Sequence, residues 1–201
     1  MRNLARLLGA CVTAIGLSAG VGAAAVLDVE EGQLVGASGV ILNGLIYEVS
    51  FEDGTCVQVF SGCNEAADFD FDNSNDAFAA AVALVDQVFL NTPEGDFDLS
   101  PELTLGCNND LVCRAAIPFL LANGGQTVVV HIGNNVNALQ DGAFGSDGGG
   151  TGSFGITQNL NDSHVWANWT QTGVAAVPIP LSGALLLAGI GGLVSLRLRR
   201  T

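Results

Sequence analysis

Two apolar segments flanked by arginine stand at the ends of this chain and fix which residues are left to build a folded core. At the front, Arg2 and Arg6 precede an apolar run from Leu7 to Leu17, and Ala23-Ala24-Ala25 offers small residues for cleavage before Val26. That is the layout of a secretory signal peptide. At the back, Leu181 to Leu196 is apolar throughout except for Ser182 and Ser195, and Arg197, Arg199 and Arg200 follow it. A helix needs ~20 residues to cross about 30 Å of hydrocarbon, and the interface-tolerant residues from Val174 onward lengthen this run into a tilted span. Arginines beyond a span stay in the cytoplasm. The expectation is a signal peptide at 1–25, an exported domain at 26–176 and a membrane-associated tail at 177–201.

The exported part is the size of one ordinary domain and long enough to bury a core. It holds all 20 acidic residues and one cation, Arg114, and the chain has no lysine, so its formal charge is −19. Binding nucleic acid or anionic lipid headgroups relies on Lys or Arg to displace counterions, so nucleic acid is excluded as a partner. An acidic polysaccharide would need bridging cations or aromatic stacking. The same charge also describes a heavily solvated surface with no specific partner.

Cys56, Cys63, Cys107 and Cys113 remain after signal removal, an even number suited to an oxidising compartment. Four cysteines allow three connectivities. Short spacing favours Cys56 with Cys63 and Cys107 with Cys113, each closing a loop that contributes ~2.5 kcal/mol on the chain-entropy model. Zinc is disfavoured, because neither pair is Cys-x-x-Cys and no histidine sits near either.

Asn43-Gly44 between two β-prone runs reads as a type I′ hairpin turn, with Tyr47, Val49 and Phe51 alternating against Ile46, Glu48 and Ser50. Cys56 to Cys63 reads as a loop or short helix. Asn73 or Ser74 caps a helix starting near Asp76, in which Phe78, Val82, Val85 and Phe89 form an apolar stripe and Asp86 and Gln87 lie off it. A second short helix is expected within Asn109 to Leu121, interrupted at Pro118. Gln126 to His131 is strand-like, Gly133 to Gly155 reads as a glycine-rich loop or hairpin tip, and Phe154 to Ile156 and Val165 to Trp169 as closing strands. The fold class is α+β: one domain with a mainly antiparallel sheet and an amphipathic helix packed on it, with a signal helix before and a transmembrane helix after.

Chemistry-bearing patterns are few. Asp68, Asp70 and Asp72 share a side if their segment is extended, and with Asp76 they offer the oxygen ligands that calcium takes. The order is not that of an EF-hand loop, and acids before a helix N-terminus are favourable for dipole reasons alone. Calcium is the one cofactor these residues point to. His131 and His164 read as satisfied structural histidines, and Ser163 beside His164 as adjacency rather than a relay. Gly150-Thr-Gly152-Ser-Phe-Gly155 matches a dinucleotide fingerprint in letters but lacks the strand-turn-helix context. Trp166 and Trp169 read as core residues rather than sugar platforms. An Asp/Glu pair for glycoside hydrolysis is the enzymatic alternative, although abundant acids make such a pair uninformative.

The tail carries a further resemblance. Val177-Pro178-Ile179-Pro180-Leu181, then the Leu/Ala/Gly-rich run, then Arg197, Arg199 and Arg200 resembles the PEP-CTERM class of bacterial sorting tails, nearest its VPLPA-type variant. Ile179 stands where that variant has Leu, and Leu181 where it has Ala. Segments of the domain, among them Gly44 to Cys56 and Ala83 to Phe89, are similar to exported members of the class whose domain has no assigned activity. The resemblance implies export, retention by the tail, processing by an exosortase-type membrane enzyme, and a place in the envelope, cell surface or extracellular matrix of a Gram-negative bacterium, with extracellular polysaccharide as a partner. The expected function is a structural or binding role there; the alternative is a secreted polysaccharide hydrolase.

Overall fold

The computed structural model describes residues 24–137 and 148–175. β1 (Val26–Glu30) pairs antiparallel with β2 (Gln33–Leu42), which turns at Asn43-Gly44 into β3 (Leu45–Glu52). Both turn residues have positive φ, 51° and 79°, as a type I′ turn requires, and Leu42 faces Leu45 across it. Tyr47, Val49 and Phe51 point into the core, so the alternation read from the sequence holds.

A four-residue helix, α1 (Cys56–Val59), follows within the Cys56–Cys63 loop, and α2 (Ser74–Gln87) within the next segment. Asn73 is the cap of α2, its Oδ1 accepting the Asp76 N–H at 3.0 Å. The face of α2 is only in part the expected one: Phe89, just past the helix end, is buried as expected, but the helix itself turns a different side to the core. Ala77, Ala80, Ala81, Ala83 and Leu84 are buried, Val82 and Val85 are partly so, and Phe78 is 45% exposed. The reason is close approach: a Cβ built on Gly133 would lie 3.2 Å from the Ala81 carbonyl oxygen and 3.2 Å from Leu84 Cδ1. The helix backbone rests almost directly on the sheet, which only small residues permit.

After a minor hairpin, β4 (Asn91–Thr92) with β5 (Gly95–Asp96), come β6 (Val112–Ala122), β7 (Thr127–Val136), β8 (Gly148–Gly155) and β9 (His164–Val174). They complete a seven-stranded sheet ordered β1-β2-β3-β9-β6-β7-β8, antiparallel except between β6 and β9. The second helix expected at 109–121 is therefore strand β6. Cys113, Ala115 and Ile117 serve one face and Ala116 the other, and a strand apolar on both faces lacks the alternation that identifies strands. Pro118 sits at a register shift between Pro118 and Leu120, where a missing N–H is tolerated. Gly150 to Gly155, the fingerprint look-alike, lies in β8 with no helix behind it.

The described residues form one α+β domain with the sheet covered on both faces. On the face that carries α2, which rests mainly on β7 and β6, the core includes Val40, Val49, Ala115, Ile117, Val165, Ala167 and Trp169. On the other face Cys56, Phe60, Cys63 and Phe69 cover Ala116, Val128, Val130, Ile132 and Trp166. Both tryptophans are core residues: Trp166 meets Phe60 edge-on at 5.5 Å and donates Nε1–H to the Gly54 carbonyl at 3.0 Å, while Trp169 packs against Tyr47 and Phe71. The disulfides are Cys56–Cys63 and Cys107–Cys113, each with Cα atoms 5.7 Å apart. Such bonds belong to an oxidising compartment. Among the described residues no helix is long and apolar enough to cross a membrane. The signal segment through residue 23, and the tail with Val177, Pro178, Ile179, Pro180, Leu181, Arg197, Arg199 and Arg200, lie outside the described residues.

Candidate functional site

The proposed calcium ligands are not brought together. Asp68 ends a 3-10 turn, Ala66–Asp68, instead of an extended run, and its Oδ2 accepts the Asn64 and Glu65 N–H groups at 2.8 and 3.2 Å. Asp72 Oδ1 accepts from Asn73 Nδ2 at 3.1 Å. Asp76 accepts from Asn73 Nδ2 at 2.7 Å and, through Oδ1, from Asn43 Nδ2 at 3.1 Å, which ties α2 to the β2–β3 turn. Among the described residues no three His, Cys, Asp or Glu side chains converge as a metal site. Asp70 is exposed as a residue, but partial desolvation of its carboxyl raises the pKa from the usual range, against the opposing backbone hydrogen bond from Trp169.

Ser163 and His164 belong to a turn. Asn161 Oδ1 accepts the Ser163 N–H at 3.1 Å and its hydroxyl at 2.8 Å, and lies 2.7 Å from His164 Nδ1. Ser163 Oγ also lies 3.1 Å from His164 Nδ1, so the two side chains do meet, but with its proton engaged by the Asn161 amide oxygen the Ser163 hydroxyl serves the chain's passage into β9. Burial lowers the His164 pKa, and the positive charge of Arg114 lowers it further. Arg114 itself donates from Nη1 to Ser163 Oγ at 3.4 Å. An open groove of about 490 Å³ lies elsewhere, over β1, β2 and β3, lined by Leu27, Val35, Gly36 and Val49 and rimmed by Asp28 and Glu30.

The arrangement that sequence reasoning missed is at the start of α2. Ser74, the first helical residue, is exposed, and its Oγ lies 2.9 Å from His131 Nε2 on β7. His131 is 7% exposed, stacks on Phe119 at 5.1 Å and meets Phe78 edge-on at 5.5 Å. The two aromatic contacts hold the ring so that Nε2 faces the serine. Among the described residues Nδ1 meets no partner at full hydrogen-bond geometry, so the ring is satisfied through Nε2 and less completely on its other side. Desolvation lowers the His131 pKa, and the backbone of Gly150 opposes this without reaching hydrogen-bond geometry at Nδ1. Ser74 and His131 are 57 positions apart, and no local pattern links them. The usable signals were a serine at a helix start and a histidine in a strand-like run. Comparison with known protein families, curated proteins and solved structures returned no match for this chain.

Proposed function

We propose that this protein is an exported surface or extracellular-matrix component with a structural or binding role, held and sorted by its C-terminal tail. One observation carries the reading: the domain is stapled at two places, one of them within a cover of the sheet. The Cys56–Cys63 loop supplies Cys56, Phe60 and Cys63 to the layer over Trp166, and Cys107–Cys113 ties the loop preceding β6 to the strand itself. A domain built this way resists unfolding where no chaperone repairs it. The acidic surface keeps it soluble, and the open groove over β1 to β3, with Asp28 and Glu30 in its lining, suits an uncharged or cationic ligand better than an acidic polymer.

The tail reading adds an exosortase-type enzyme as the processing partner, the membrane as a transient anchor and extracellular polysaccharide as the surrounding matrix. Intact mass of the protein recovered separately from cells and from medium tests the export, the tail processing and the disulfides. The expected result is loss of the first 25 residues, loss of the tail in the released form, and four fewer hydrogens than the fully reduced chain. Recovery of an intact tail in every fraction would reduce the protein to an ordinary membrane-anchored one.

A further inference from the structure

We infer that Ser74 and His131 form a nucleophile–base pair that hydrolyses small uncharged carboxylic esters at the start of α2. Four features of this one place support it. Ser74 is an exposed residue while its partner ring is buried, so the serine lies at the surface and the base stays desolvated. The ring is fixed between Phe119 and Phe78 with Nε2 at 2.9 Å from Oγ, within hydrogen-bond reach for proton transfer. Its lowered pKa keeps the imidazole neutral near pH 7, and in the tautomer that carries its hydrogen on Nδ1 the ring accepts a proton at Nε2. Finally, the Asn73 cap engages the N–H groups of Asp76 and Ala77, and those of Ser74 and Asn75 stand outside the helical ladder. Two N–H groups at the positive end of a 14-residue helix, beside the nucleophile, are suited to a developing oxyanion.

The chemistry closes without a further reagent. Ser74 Oγ attacks the ester carbonyl carbon as His131 Nε2 takes the hydroxyl proton, and the Ser74 and Asn75 N–H groups stabilise the resulting oxyanion. Collapse breaks the bond to the leaving oxygen, which receives the proton from the imidazolium and departs as the alcohol. Water then attacks the acyl-serine, giving its proton to Nε2, and the serine leaves with that proton as the carboxylic acid is released. Because Nδ1 has no carboxylate to steady the imidazolium, turnover should be slow, on the order of 10⁴-fold below a full triad. The half-exposed ring of Phe78, one helical turn from Ser74, offers an apolar rest for a short acyl group. Asp72 and Asp76 flank the site and disfavour anionic substrates.

The test is covalent labelling of the full chain with a fluorophosphonate, read by intact mass and peptide mapping, alongside hydrolysis of 4-nitrophenyl acetate. The expected outcome is one adduct, on Ser74, absent in Ser74→Ala, with a labelling rate that falls only as pH drops through the lowered His131 pKa, below histidine's ordinary 6.5. Ser74→Ala removes the partner of the buried His131 Nε2 and should lower the melting temperature by a few degrees while the chain stays folded, and His131→Gln should also lose the adduct. No adduct on the wild-type chain, or an adduct that persists undiminished in Ser74→Ala, would overturn the inference. Either result leaves the sorting reading untouched, since that rests on processing of the ends.

Discussion

Asp70 keeps its carboxylate in a place that penalises the charge: partial desolvation raises its pKa, and the backbone hydrogen bond from Trp169 offsets only part of that. A raised folded-state pKa means the folded protein holds the proton more tightly than the unfolded chain. Its contribution to stability is therefore present at low pH and lost as pH rises through the folded value. Asp70→Asn should accordingly raise the melting temperature at pH 7 and make little difference at pH 3. A variant less stable at both values would show that the carboxylate is needed for something else. The histidines work in the opposite sense. Burial lowers the pKa of both His131 and His164 from 6.5, so the stability they contribute is complete above 6.5 and is lost as pH falls through the folded values. Denaturant midpoints measured from pH 7.5 down to pH 5 should decline, and replacing His164 with Gln should flatten part of that decline. Neither histidine's full setting was legible in the sequence, because neighbours from other elements shape each: Phe119 and Ser74 for one, and Arg114 for the other, to which the local Asn161 turn is added.

Where an element is specified by its own residues, it was readable. The β2–β3 turn needs two positive φ angles, and Asn-Gly supplies them locally; Asn73 caps α2 by the same kind of short-range chemistry. Strand β6 and the buried face of α2 depend on what lies across from them. A strand apolar on both sides shows no period, and an alanine face gives only a weak signal beside phenylalanine and valine. Gln87 shows the same limit at one residue. It lies off the expected stripe, yet its Oε1 accepts the Ile41 N–H and its Nε2 donates to the Ile41 carbonyl, both at 2.9 Å. The side-chain amide stands in for a neighbouring strand along the part of β2 that β1, which reaches only to Ser38, leaves uncovered. Gln87→Ala would leave both backbone groups half-buried without partners, and should cost about 1–3 kcal/mol in chemical denaturation. Gln87→Met, which restores bulk without polarity, should recover little of it; full recovery would assign the effect to packing instead.

At the scale of the molecule, an α+β architecture and two short-range disulfides followed from spacing and period, whereas the double covering of the sheet did not, since nothing in the run from Cys56 to Phe69 says which surface it will close. Charge is the property that belongs only to the whole. Twenty acidic residues face a single arginine in the segment 26–176, and that arginine donates to a serine hydroxyl. Repulsion is therefore the dominant long-range term, opposed locally by amide donors such as those from Asn43 and Asn73. At 0.01 M salt the screening length is ~30 Å, which exceeds the ~15 Å radius of gyration expected for about 150 residues, so every carboxylate feels every other. At 0.15 M it is about 8 Å, and repulsion survives only between neighbours. Unfolding spreads the charges apart, so low salt favours the unfolded chain. The melting temperature at pH 7 should rise between 10 and 150 mM sodium chloride, by about 2–4 °C for each kcal/mol of repulsion relieved in a domain of this size. A fall over the same range would mean that attractive pairs outweigh the repulsion, and would contradict the picture of a surface kept soluble by unbalanced negative charge.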